Sequence, residues 1–128
     1  VTAEDEARAL LQELQAAVTD RDLDRLVSVF SDDPVVFGTN STNLGVDELQ
    51  TYAAGVLAAE HTPVWSWDTV IVLEESDDRV LFTVIGRTGV GAALSEPFRL
   101  SALAVRRPGR EADWRLRHFH GSVPEPLY

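Results

Sequence analysis

The spacing of apolar residues changes character at Pro63, from helical before it to alternating after it. Four strand-like runs follow, over residues 64–74, 79–88, 97–106 and 114–123, joined by turn-rich segments at 76–78, 89–95 and 108–113. Ahead of the change, Thr2 and Asp5 have the spacing of a capping box, and Ala7, Leu10, Leu11, Leu14 and Val18 repeat with helical period. Asp22 can cap a short second helix whose apolar face is Leu23, Leu26, Val27 and Phe30, with residues 31–34 as its stop. Val35, Val36 and Phe37 read as a short strand, and 38–45 as a loop rich in Asn, Thr, Ser and Gly. A third helix over 46–59 carries Leu49, Tyr52, Ala53, Val56 and Leu57 on one stripe. Helices first and strands later predict an α+β fold, with helices on one face of an antiparallel sheet, and argue against a parallel βαβ arrangement. With 128 residues and no repeat or linker, the chain reads as one domain, 1–128, long enough to bury roughly two-thirds of its unfolded surface.

Two of the strand-like runs, Val70-Ile71-Val72-Leu73 and Val80-Leu81-Phe82-Thr83-Val84-Ile85, are apolar on both faces, whereas a sheet wetted on one side alternates cleanly. The expectation is that helices cover one face and a second copy of the chain covers the other, as a homodimer. The alternative is a small sheet curling on itself. Charge narrows the partners further. Formal net charge is -10, from 21 acidic residues against 11 basic ones, all of them Arg. Such a chain repels phosphate backbones and anionic lipid, which argues against nucleic acid and membrane as partners. No apolar run reaches the roughly 20 residues of a membrane helix. Residues 1–6 are polar and acidic rather than basic-then-apolar, so a cytoplasmic protein is the default expectation. The chain has no Cys, hence no disulfide, thiolate metal site or cysteine nucleophile. The arginines are unevenly placed: residues 1–78 hold 3 against 17 acids, and 79–128 hold 8 against 4. This is either surface pairing between acidic helices and basic strands or an arginine-lined site for a small anion.

Several side chains are candidates for such a site. Arg87, Arg99 and Arg117 come from three strands that can converge on a pocket with Ser101 beside them, where guanidinium groups bind a carboxylate or phosphate or stabilise an oxyanion. The alternative is cross-strand pairing with Glu74, Glu75 or Glu96. By alternation Asp68 shares a face with Val64, Ser66, Val70 and Val72, where a carboxylate can serve as general acid or base, unless it sits at an exposed strand start. Trp65 and Trp67 offer a stacking surface to a flat substrate or bulk to a subunit contact. Tyr52 reads as core or as a substrate-binding wall residue. On the last strand, Trp114, Leu116, His118 and His120 share one face, and Arg115, Arg117, Phe119 and Gly121 the other. Periodicity alone buries the first set. His118 and His120 could ligate a metal or act as a base, but nothing nearby supplies a third ligand, so no metal is assigned and hydrogen-bonded histidines are the plainer reading.

The run Arg21-Asp22-Leu23-Asp24-Arg25-Leu26 through Phe30-Ser31-Asp32-Asp33-Pro34-Val35-Val36-Phe37 resembles the opening of the nuclear transport factor 2-like superfamily. The closing run Trp114-Arg115-Leu116-Arg117-His118-Phe119-His120-Gly121-Ser122 is similar to the Trp-x-x-x-His-x-His-x-Ser ending of SnoaL-like domains, shared with the association domain of calcium/calmodulin-dependent kinase. Arg99-Leu100-Ser101 resembles the step these domains carry on the preceding strand. The resemblance implies a cone, a curved antiparallel sheet wrapped around the N-terminal helices in a cystatin-like roll, with a pocket at the wide end and a dimer across the outer face. It also implies that Arg117, Phe119 and Gly121 face the pocket. An arginine of the kinase domain's pocket falls at Gly121, and the acid-base positions of ketosteroid isomerases fall at Leu14, near Gly38 and near Leu103, none of which can move a proton. The resulting expectation is a cofactor-free SnoaL-like protein holding a small organic molecule, anionic if the arginines face it. If it is an enzyme, it is of isomerase, cyclase, dehydratase or hydrolase type, with Asp68 or His120 moving the proton and Arg99 or Arg117 facing the anion. The alternative is a non-catalytic ligand-binding or oligomerisation module.

Overall fold

Thr2 starts the first helix by reciprocal bonds. The Asp5 N–H donates to Thr2 Oγ1 at 3.1 Å and the Thr2 N–H to Asp5 Oδ2 at 3.0 Å, which holds the Asp5 carboxyl below the usual carboxylate range. The computed structural model describes residues 1–91, 93–110 and 113–125. Helix α1 (Ala3–Thr19) and the Asp22-capped α2 (Leu23–Ser28) precede β1 (Phe30–Gly38), β2 (Ser41–Leu44) and α3 (Gly45–Ala58). Strands β3 (Pro63–Glu75), β4 (Arg79–Val90), β5 (Glu96–Arg106) and β6 (Trp114–Ser122) complete the chain. They form one curved sheet in the order β2-β1-β6-β5-β4-β3, with the helices on its inner face.

The α+β order stands, but the sheet is mixed rather than antiparallel. Strand β1 runs parallel to β6, pairing Val35 with His118 and Val36 with Phe119. Phe30, expected on the second helix, already belongs to β1. Residues 31–34 then bulge out of the strand, so that Asp33 meets Arg117 at 3.2 Å and Asp32 meets Arg107 at 3.2 Å. The segment expected as a loop holds β2, which closes a hairpin on β1 through Thr39 and Asn40. Its polar composition hid it. The buried Asn43 amide donates to the Val36 carbonyl at 3.2 Å, so a polar side chain serves the inside.

Bulges decide which side chains face inward. On β6 the pairing steps from His118 opposite Leu103 to Leu116 opposite Ala104, leaving Arg117 as the extra residue. Alternation therefore restarts, and Leu116, Phe119 and Gly121 are all buried although the sequence divides them between two faces. Strand β3 has the same device between Ser66 and Thr69 and again between Val72 and Glu74. The first of these turns Asp68 out to solvent and Val70 in, separating residues that plain alternation puts on one face. At this bulge the Ser66 carbonyl crosses Gly86 so closely that a Cβ there would lie 1.9 Å from it.

As an edge strand, β3 leaves main-chain groups without a strand partner, and α1 supplies side chains to several of them. Gln15 Oε1 accepts from the Trp65 N–H at 2.9 Å, and Arg8 donates to the Trp67 carbonyl at 2.9 Å. At the far end of α3, Arg21 adopts a left-handed φ of 53°. Its guanidinium donates to the carbonyls of Leu57, of Ala59 at 2.7 Å and of Glu60 at 2.9 Å. That places a cation on the negative end of the helix.

Candidate functional site

The helices do not fill the sheet's concave side completely. A hollow of about 80 Å³ remains, walled by Leu14 and Val18 of α1, Leu49, Tyr52 and Ala53 of α3, and Phe119 of β6, among others. A second hollow of about 170 Å³ abuts it toward the sheet end, sharing Tyr52, Pro63, Trp65 and Phe119 and adding Thr39, Thr88 and Phe98. The helical stripe that carries Leu49 and Ala53 into the core also aims Tyr52 at the junction of the two.

Two glycines shape this junction. A Cβ on Gly38 would lie 2.6 Å from the Tyr52 hydroxyl oxygen, and one on Gly121 would lie 2.7 Å from Phe98 Cζ. Gly38 thus makes room for the phenol. Phe98 occupies the space that any side chain at 121 would need, which is why the pocket arginine of the resembling kinase domain has no counterpart here. Thr88 at the mouth has its hydroxyl committed to the Val64 carbonyl at 3.0 Å. Tyr52 is the one titratable side chain on the walls of either hollow among the described residues.

The other candidates lie elsewhere. Trp67 stacks on Trp65, with centroids 5.5 Å apart and planes 16° apart, and stands behind the wall rather than on it. Arg87 donates to the carbonyls of Leu94 at 2.9 Å and Ser95 at 3.0 Å, holding the β4–β5 connection. Arg117, the bulged residue, pairs with Asp33. Asp68 is exposed. The three arginines therefore do not converge on the hollow, because the bulge on β6 and the alternation on β4 and β5 send them to the outer face or its rim. His118 Nδ1 lies 2.9 Å from the Val35 carbonyl, which assigns the proton to that nitrogen. His118 and His120 both meet Phe37 edge-on, at 5.4 and 5.3 Å. Arg99, Ser101 and His120 border a separate shallow hollow of about 250 Å³ on the outer face.

The carboxyls whose protons bind more weakly than usual are also off the walls of the hollows. Glu13 is lowered by its bond to Arg25, and Asp113 by its bond to Arg115 at 3.0 Å. Of the residues on these walls, the sequence singles out Tyr52 and Phe119, and Gly38 only as a family position, whereas it does not single out Phe98 and Thr88. Gly38 carried a signal, as a glycine directly after an apolar strand.

Comparison with known proteins places this geometry. The fold matches a nuclear transport factor 2-like protein from Pseudomonas putida at TM-score 0.80 and 23% identity, covering 98% of this chain and 89% of that one. It matches a candidate dehydratase of the same family from Streptomyces avermitilis at TM-score 0.78 and 15% identity, covering 95% and 96%. A candidate calcium/calmodulin-dependent protein kinase type II association domain from Thiobacillus denitrificans matches at TM-score 0.72 and 17% identity, covering 92% and 94%. Among proteins of curated function, none matches the sequence. These likenesses establish the fold, as the motifs at both ends of the chain had implied. A family model of the SnoaL-like domain matches residues 7–126, and the chain belongs to that family.

Proposed function

We propose that this chain binds a small, neutral organic molecule in the inner hollow, with the Tyr52 hydroxyl as its polar contact, and that it works as a homodimer. The observation that carries the ligand reading is the wall itself, apolar in the first hollow apart from the Tyr52 phenol at the junction, with Thr39 and Thr88 added only in the second. Burying a charged ligand against such a wall has no compensating partner, which favours a neutral ligand over an anion. Size limits the ligand too. Pockets for drug-sized molecules run to roughly 300–1,000 Å³, and a dry cavity of about 150 Å³ takes benzene. Hollows of about 80 and 170 Å³ suit a single ring or a short branched chain.

Binding is favoured over proton-transfer chemistry because general acid-base work requires a proton-moving group within hydrogen-bond reach of the substrate. Asp68 and His120 stand on other surfaces, leaving Tyr52 alone. The test is a titration read through indole fluorescence, since Trp65 lines both hollows. Cyclohexanol and p-cresol should bind saturably and benzoate should not. Tyr52→Phe should weaken the alcohols about fivefold, the worth of one hydrogen bond, and Val56→Phe should abolish binding by filling the space. Benzoate binding as tightly as p-cresol, or no effect of Val56→Phe, rejects the reading.

The dimer rests on the outer face, where Ile71, Leu73 and Ile85 are 41%, 56% and 53% exposed on neighbouring strands β3 and β4. Large exposed apolar side chains on adjoining strands favour a protein partner. Sedimentation should give twice the 14.1 kDa chain mass, and Leu73→Asp should return it to one chain. A concentration-independent single-chain mass for the unaltered protein rejects the dimer.

A further inference from the structure

The outer face carries a second constellation, independent of whatever occupies the inner hollow. Strands β5 and β6 place Arg99 opposite Ser122 and Ser101 opposite His120. All four project outward and border one shallow depression of about 250 Å³. Opposed residues on neighbouring strands have Cβ atoms about 5 Å apart, so the four side chains outline a small square. Thr83 closes one side, with its own proton committed to the Leu100 carbonyl at 2.7 Å.

The square is rich in hydrogen-bond donors. The Arg99 guanidinium only donates, the two serine hydroxyls and the His120 ring can donate as well as accept, and no carboxylate lines the depression. Arg99 itself is held by no salt bridge and no hydrogen bond among the described residues. Among the described residues Arg8, Arg25, Arg107, Arg110, Arg115 and Arg117 have a carboxylate partner. Arg79 lacks one as Arg99 does, but Glu74 and Glu75 line its depression, whereas hydroxyls and an imidazole line that of Arg99. The His120 ring is set by the edge-on contact with Phe37.

We propose that Arg99, Ser101, His120 and Ser122 form a binding site for a small oxyanion, the phosphate or carboxylate group of a diffusible molecule. A guanidinium grips such a group bidentately, and the serines and the imidazole N–H take the remaining oxygens. The site adjoins the apolar strip, since Ile85 lies opposite Arg99 and Thr83 opposite Ser101 in the β4–β5 ladder.

The test is a nuclear magnetic resonance titration of the Arg99 side-chain N–H and the His120 ring with inorganic phosphate and, separately, acetate, at ionic strength held constant with chloride. Saturable shifts centred on these two residues are expected. Tighter binding of phosphate identifies a phosphate-bearing ligand, and tighter binding of acetate a carboxylate. Arg99→Gln should weaken binding at least about tenfold, as removal of a charged hydrogen-bond donor does. His120→Gln should also weaken it, and Arg79→Gln, on an exposed arginine outside the depression, should leave it unchanged. Both altered positions within the site are exposed, so folding is retained and can be checked by circular dichroism. Shifts that fail to saturate, or an affinity unmoved by Arg99→Gln, overturn the proposal.

Discussion

One sheet has two faces here, and they differ in almost every chemical respect. The inner face meets the helices with Phe82, Val84, Leu100 and Phe119 and leaves a largely apolar hollow with a single phenol. The outer face carries Arg99, Arg117, His118 and His120 alongside exposed Ile71 and Ile85. Both sets are interleaved along the same strands. Their separation depends on strand geometry more than on composition, and the bulge at Arg117 is where the last strand chooses.

The most drastic way to break that separation is to delete Ser101 from β5, whose residues follow one another without an extra one. Ala102 and Ala104 would then turn out and Leu103 in, and the cooperative thermal transition should be lost. Deleting Arg117, by contrast, removes only the extra residue of β6, leaves Leu116 and Phe119 inside and both histidines outside, and should preserve that transition. Next in size is a test by sequence neighbours. Phe119→Ala, at a residue 8% exposed, should cost about 3–5 kcal/mol in chemical denaturation. His120→Ala beside it, exposed on the other face, should change stability by less than about 0.5 kcal/mol. Similar losses for the two would erase the distinction. A smaller effect is expected from Arg21→Met, which strips the cation from the end of α3, the helix that carries Tyr52. About 1 kcal/mol is expected, with ligand affinity falling in parallel because the roof of the hollow loosens.

The smallest is the acid response. Asp5, Glu13 and Asp113 have folded proton affinities below their ordinary values, through Thr2, Arg25 and Arg115 respectively. Their contribution is complete above the unfolded pKa of about 4 and is lost as pH falls through the lower folded values. The melting temperature should therefore be flat near neutrality and fall below about pH 4. The variant carrying Asp5→Asn, Glu13→Gln and Asp113→Asn should show a shallower fall.

Why some of this was legible in the sequence and some was not follows from the range of each signal. The capping box at Thr2 and Asp5 and the Asp22 cap are local, and both form as their spacing implies. The four late strands show in their alternation because each has a buried face. The polar strand Ser41–Leu44 shows no such pattern, since its pairing with β1 and the inward turn of Asn43 come from tertiary context. Parallel pairing of β1 with β6 joins residues some 80 positions apart and leaves no periodic trace. For the site, the limit was parity. Periodicity correctly buries Leu116, and the family resemblance correctly turns Phe119 and Gly121 inward, yet the two conflict on an unbroken strand. One extra residue reconciles them and carries Arg117 away from the hollow. Asp68 left the core face for the same reason.

The way α1 meets β3 bears on how the molecule behaves in a crowd. A terminal strand of 13 residues is long enough to template the addition of a neighbouring chain, and the repetition of that step is how fibres grow. Gln15 and Arg8 occupy the hydrogen-bonding positions at one end of this border, and Glu74 and Glu75 bring like charges to the other. Lateral addition along β3 is thereby discouraged at both ends of the strand.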